Sequence, residues 1–160
     1  MNQPLRHWRQ NRRPRLEGSV YGLSGYAVHL IVHTYRCRPL FANSRGLASL
    51  AVQTLGESAE AQAVALLCYC LMPTHLYVVA VAEREGADVR RFITLFKTRM
   101  IWATKGQLSS HLWQRSFYDH VIQGRESVAE VCEYVLNNPI RAGLVLKWEE
   151  YPYSWVSEEV

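Results

Sequence analysis

Four side chains on two short stretches are of types that could do chemistry. In Leu71–Val81 (LMPTHLYVVAV) a Met-Pro-Thr turn leads into His75-Leu76-Tyr77. Strand side chains alternate, so extended chain here puts His75 and Tyr77 on one sheet face and Leu76 and Val78 on the other. An imidazole and a phenol sharing a face can bind a metal ion, or can be hydrogen-bonded members of a core or its rim; these residues alone leave both open. Further along, Tyr134 and Asn138 stand four apart, one helical turn. At about 100° per residue both fall at the edge of an apolar stripe, where a side chain can border a cleft between helix and sheet.

The elements that must position these residues follow from pattern. Tyr26–Tyr35 (YAVHLIVHTY) is β-branched and aromatic and reads as a first strand, with Val28, Leu30 and Val32 on one face and Ala27, His29, Ile31 and His33 on the other. His29 and His33 read as hydrogen-bonded polar positions, with His29 placed to lie near the same site. Asn43 or Ser44 caps a helix expected to end at Gly56. Ala63–Met72 is apolar on both faces, as an inner strand should be, and Pro73-Thr74 turns the chain into the strand beginning at His75.

Asp88 is placed to cap a helix from Val89 to about Thr104. Its apolar stripe runs through Phe92, Ile93, Phe96 and Met100, and Arg90, Arg91, Lys97, Arg99 and Lys105 form a basic remainder. Leu112–Ile122 (LWQRSFYDHVI) reads as a fourth strand broken by Gly124. Glu126–Asn138 reads as a helix that Pro139 ends, because the residue before proline avoids helical geometry. Strand, helix, strand, strand, helix, strand, helix is the order of an α+β fold: a ferredoxin-like antiparallel sheet with helices packed mainly on one face. The aromatic tail, with Trp148, Tyr151 and Tyr153, is expected to wrap back over the body.

At 160 residues, 49% apolar, the chain suits one core, here residues 23–160 behind a basic arm over 1–22. The net charge of +4 is modest, but Arg6, Arg9, Arg12, Arg13 and Arg15 crowd the start. Such an arm suits an anionic polymer through phosphate neutralisation, or is a solvated leader. No apolar run is long enough to span a membrane and the arm lacks the apolar core of a secretory signal, so a cytoplasmic protein is expected. Cys37, Cys68, Cys70 and Cys132 lack paired CxxC spacing and read as reduced thiols, with Cys68 and Cys70 in the core.

The order of motifs resembles the single-tyrosine transposases of the HUH nuclease superfamily, in particular the REP-associated tyrosine transposases. The resemblance covers Tyr26 to Trp155 in five successive blocks: a first strand ending in CRPLF, then YCLMPTHLY, the basic helix, WQRSFYDHVI and EYVLNNPIRAGLV. It implies a DNA-binding enzyme that cleaves and rejoins single-stranded DNA hairpins with the help of a divalent ion, Mg²⁺ or Mn²⁺. The tyrosine becomes joined to a 5′-phosphate and a 3′-hydroxyl is released. Carried over by position, Tyr134 is the nucleophile, His75 the first metal-binding histidine and Asn138 the helix-borne ligand.

That chemistry fits the residue types. A free phenol is only about 0.1% ionised at neutral pH, so a site must stabilise phenolate or accept the proton during attack. A hard cation polarises the phosphate. One position departs from the pattern: Tyr77 stands where the second histidine should be, and a neutral phenol is a poorer ligand than imidazole. Three readings follow in order: an altered nuclease, a DNA hairpin-binding protein that no longer cleaves, and, from another class, a protein-interaction module. Arg12, Arg13, Arg115, Tyr118, His120 and Arg141 are candidate DNA contacts, through phosphate pairing or stacking, while Trp113 and Phe117 belong to the core. Insertion-sequence relatives work as dimers, so a homodimer is one expected state alongside a monomer.

Overall fold

A computed structural model describes residues 25–108, 111–123 and 126–160. The basic arm, including Arg12 and Arg13, and Gly124 lie outside the described residues. Five strands form one antiparallel sheet: β1 (Ala27–His33), β2 (Val64–Met72), β3 (His75–Ala82), β4 (Tyr118–Val121) and β5 (Ser154–Val156). Their order is β4-β1-β3-β2-β5. The first four strands, with helices α1 (Arg45–Ala61) and α2 (Val89–Ala103) between them, make the expected ferredoxin-like split β-α-β arrangement.

Alternation along the strands sends two sets of side chains to opposite faces. Val28, Leu30, Val32, Leu76, Val78 and Ala80 pack under α1 and α2 with Leu55, Phe92, Ile93 and Phe96. The other face is covered in part by a third helix, α3 (Val128–Leu136), whose Val131, Cys132 and Val135 meet Cys68, Cys70, Tyr77 and Val79. Two helices thus lie on one side, as expected, and the tyrosine-bearing helix on the other.

Four boundaries differ from the sequence expectation. Helix α1 begins at its Ser44 cap, whose hydroxyl accepts the Leu47 N–H at 3.1 Å, but runs through Gly56 to Ala61. Gly56 is solvent-exposed, and its ~1 kcal/mol propensity cost is outweighed by burial of Leu55, Ser58 and Ala59 beside it. The fourth strand is only Tyr118–Val121, because Trp113 leaves it to make an isolated bridge with Thr34 and to fill the core between Phe41 and Phe96. Helix α3 runs from Val128 to Leu136, two residues inside each end of the expected span, and Pro139 beyond it sits in the first turn of a separate short helix, α4 (Asn138–Arg141), where the missing N–H needs no partner. The tail contributes a strand of its own: β5 pairs with β2, and the Tyr151 hydroxyl donates to the Leu71 carbonyl at 2.8 Å.

Local signals hold α3 in place. The Ser127 hydroxyl accepts the Glu130 N–H at 3.0 Å, and the Glu130 carboxylate accepts the Ser127 N–H at 3.2 Å. This capping box satisfies two donors that the first helical turn leaves open. Ser127→Ala should therefore lower stability by about 1 kcal/mol, read as a shifted denaturation midpoint with an unchanged slope.

Candidate functional site

The register of the central strands assembles the site. Across the β1–β3 pair, His33 stands opposite His75 and Ile31 opposite Tyr77; across β1–β4, His29 stands opposite His120 and Ile31 opposite Tyr118. All of these face α3. Among them the rings form a connected cluster: His33 to His75 at 5.2 Å, His75 to Tyr77 at 4.7 Å edge-on, and His29 stacked on Tyr77 at 5.9 Å. From the helix, Tyr134 meets Tyr77 edge-on at 6.2 Å. The Arg141 guanidinium lies over the Tyr134 ring, 5.2 Å from its centre.

The predicted residues are thus largely brought together: His75, Tyr77, Tyr134 and Arg141 form one chain of contacts. Asn138 follows one turn beyond Tyr134, where its amide NH₂ donates to the Tyr134 and Val135 carbonyls at 2.8 and 3.2 Å. Those bonds fix the amide and leave its oxygen as the atom available to a cation. His120 is held by Glu126, nitrogen to oxygen 2.6 Å, on the β4 side of the same face. Arg115 is exposed in the segment before β4, and its carbonyl accepts from Lys97 Nζ at 3.1 Å. The basic helix α2 lies across the sheet from Tyr134, with Lys97 and Arg99 bonded to Gln114, Arg115 and Ser58.

Burial sets the protonation of the cluster. Desolvation, aided by His120 and opposed by Glu126, lowers the pKa of His29 to about 4. His75 is lowered to about 4 by burial and then by His33, and His33 is itself lowered by burial. Tyr77 is 8% exposed and its pKa is raised, first by burial and then by the neighbouring Tyr134 phenol, which keeps it a neutral hydroxyl.

The expectation that His29 and His33 are hydrogen-bonded fails. His29 Nε2, His33 Nδ1 and His75 Nε2 are buried with no partner among the described residues. The sequence placed His33 on the correct face of β1, but its position beside His75 depends on strand pairing, which the pattern does not contain. Among the described residues no group of three or more His, Cys, Asp or Glu side chains is placed to hold a metal ion. The imidazole nitrogens without partners are nonetheless of the donor type a divalent ion takes, whereas the neutral Tyr77 phenol is not a good one.

A solved structure described as a REP-associated tyrosine transposase bound to a REP hairpin superposes with a TM-score of 0.67 over 84% of this chain and 78% of its own, at 19% identity. The fold is that of a REP-associated tyrosine transposase. A Deinococcus radiodurans R1 protein provisionally named a transposase matches at TM-score 0.51 and 17% identity, over 72% of this chain and 93% of that one. In sequence, a Haemophilus influenzae protein provisionally named a REP-associated tyrosine transposase is 22% identical over 102 residues, 57% of this chain. An uncharacterized protein of the same organism is 34% identical over 70 residues, 44% of this chain. The matched regions span 58% and 37% of those two relatives. No family model matches the chain, and no helix among the described residues is long and apolar enough to cross a membrane.

The buried histidine-bearing face of the sheet has a pH signature. Folded His29 stays neutral down to about pH 4, whereas the unfolded side chain takes up a proton near pH 6.5. The unfolded state thus binds more protons in that window, and stability rises with pH through it. Denaturation midpoints should fall as pH drops from 6.5 towards 4. His29→Phe, which keeps the ring contacts, should remove up to about 3 kcal/mol of that dependence.

Proposed function

We propose that this protein binds single-stranded DNA hairpins and exchanges their strands through a covalent link to Tyr134. The observation that carries the reading is Tyr134 itself: a helix-borne phenol set against the sheet face, with the Arg141 guanidinium over its ring and His75 reached through Tyr77. The transposase fold and the REP hairpin bound by the superposed relative support it.

In this reading the Tyr134 oxygen attacks the phosphorus of a phosphodiester. An O–P bond to the 5′-phosphate forms, the P–O3′ bond breaks, and the departing 3′-oxygen takes up a proton while the phenol gives one up. The number of P–O ester bonds is conserved, so a second 3′-hydroxyl can reverse the step without outside energy. Arg141, exposed at the end of α4, pairs with the phosphate and holds it near the phenol. Asn138 closes the last turn of α3, which fixes where the Tyr134 backbone stands. Bound beside His75 with the Asn138 oxygen as a further donor, a divalent ion would supply positive charge to the phosphate oxygens. The Tyr77 phenol, kept neutral by burial and by the neighbouring Tyr134, is a poorer donor to such an ion than an imidazole.

Wild-type protein incubated with labelled hairpins from the DNA flanking its own gene, in Mn²⁺, should give a protein–DNA band on a denaturing gel, and Tyr134→Phe should abolish it. A band that persists in Tyr134→Phe removes Tyr134 from the mechanism. Absence of the band with a retained native-gel shift would make the chain a hairpin-binding protein without cleavage. In the binding assay, Arg141→Gln should weaken the complex and lower the salt slope by about one.

A further inference from the structure

We infer that His33 and His75 form a cross-strand two-imidazole site for one transition-metal dication, with His33 supplying the second imidazole that Tyr77 does not. The inference rests on the strand-transfer reading for what the ion would do, and not for whether it binds.

Three observations carry it. First, His33 and His75 are direct register partners on adjacent antiparallel strands and point to one face; such partners have Cβ atoms about 4.5–5.5 Å apart, within reach of one shared ion. Second, each ring has one buried nitrogen without a partner among the described residues, Nδ1 of His33 and Nε2 of His75. Two neighbouring imidazoles each leaving a nitrogen desolvated and unpaired call for a shared ligand. Third, the ring spacing is right. At a metal–nitrogen distance of about 2.1 Å and a tetrahedral angle, two imidazole centroids stand about 5 Å apart, and here they are 5.2 Å apart.

The other nitrogen of His75 strengthens the case. Its Nδ1 lies 2.8 Å from the Thr74 hydroxyl. With Nδ1–H donating to that oxygen, Nε2 is left as a lone pair, the arrangement that fixes the tautomer of metal-binding histidines. Neutral nitrogen donors suit Mn²⁺, Co²⁺ or Zn²⁺ better than Mg²⁺, which takes oxygen. Two protein donors leave the remaining positions to the Asn138 oxygen, to water or to a phosphate oxygen.

The test uses untagged full-length protein titrated with Co²⁺ alone, without DNA, by calorimetry and visible absorption. Wild type should bind one Co²⁺ with a ligand-field band, and His33→Gln and His75→Gln should each weaken binding by roughly 10-fold or more, while His111→Gln should not. No Co²⁺ binding by the wild type, or binding that survives His33→Gln, overturns the proposal. Should His33→Gln fail to fold, ring-nitrogen NMR of the wild type on adding Zn²⁺ decides instead. Perturbation of both His33 and His75 supports the pair, and perturbation confined to other histidines overturns it. Metal binding without a DNA adduct would sink the strand-transfer reading and leave the metal site standing.

Discussion

The register of β1 against β3 is the constraint on which everything else depends. Side chains alternate, so a slip of one residue would turn His29 and His33, or His75 and Tyr77, into the apolar layer beneath α1 and α2. What prevents the slip is the opposite face. Val28, Leu30 and Val32 of β1, with Leu76, Val78 and Ala80 of β3, are almost entirely buried against the two long helices. Exposing that set to water, or burying four polar rings in its place, would each cost several kcal/mol. The chemistry of one face is therefore specified by the hydrophobicity of the other.

Helix α3 completes the site from the uncommitted side. Val131, Cys132 and Val135 pin it to β2 and β3, which leaves Tyr134 at the margin of the contact, half-buried and over Tyr77. The helix ends there because Asn137 and Pro139 redirect the backbone into α4, and that short turn carries Arg141 back over the Tyr134 ring. Position along the chain and position in the site are thus linked by seven residues whose geometry is set by capping and by proline.

Much of this was legible in the sequence because it depends on local pattern. Period-two alternation located β1, β2 and β3 and assigned His29, His33, His75 and Tyr77 to faces correctly; helical spacing located α2 and α3 and set Tyr134 at an apolar edge. Where the reading failed, tertiary packing had overridden a local signal. Gly56 stays helical because its neighbours are buried, and Trp113 leaves the strand pattern for a slot between Phe41 and Phe96. Strand β5 is only three residues long, too short to register as a pattern, and exists because the edge of β2 would otherwise be unpaired. The histidine pairs escaped for a different reason: which residue of β1 lies beside His75 is a property of strand pairing, and no periodicity within one strand encodes it.

That distinction bears on Tyr77. On a single strand, residues two apart stand about 6.6–7 Å from each other, whereas direct partners on neighbouring strands have Cβ atoms about 4.5–5.5 Å apart. A second imidazole can therefore come from across the sheet at no geometric disadvantage to one from two residues along. The phenol at Tyr77, longer than an imidazole, uses its position differently: it stacks on His29, meets His75 edge-on, and reaches Tyr134 on the helix above. In that place the tyrosine couples sheet to helix through ring contacts. Tyr77 thus serves as a packing bridge between layers, and His33 stands opposite His75 one strand away.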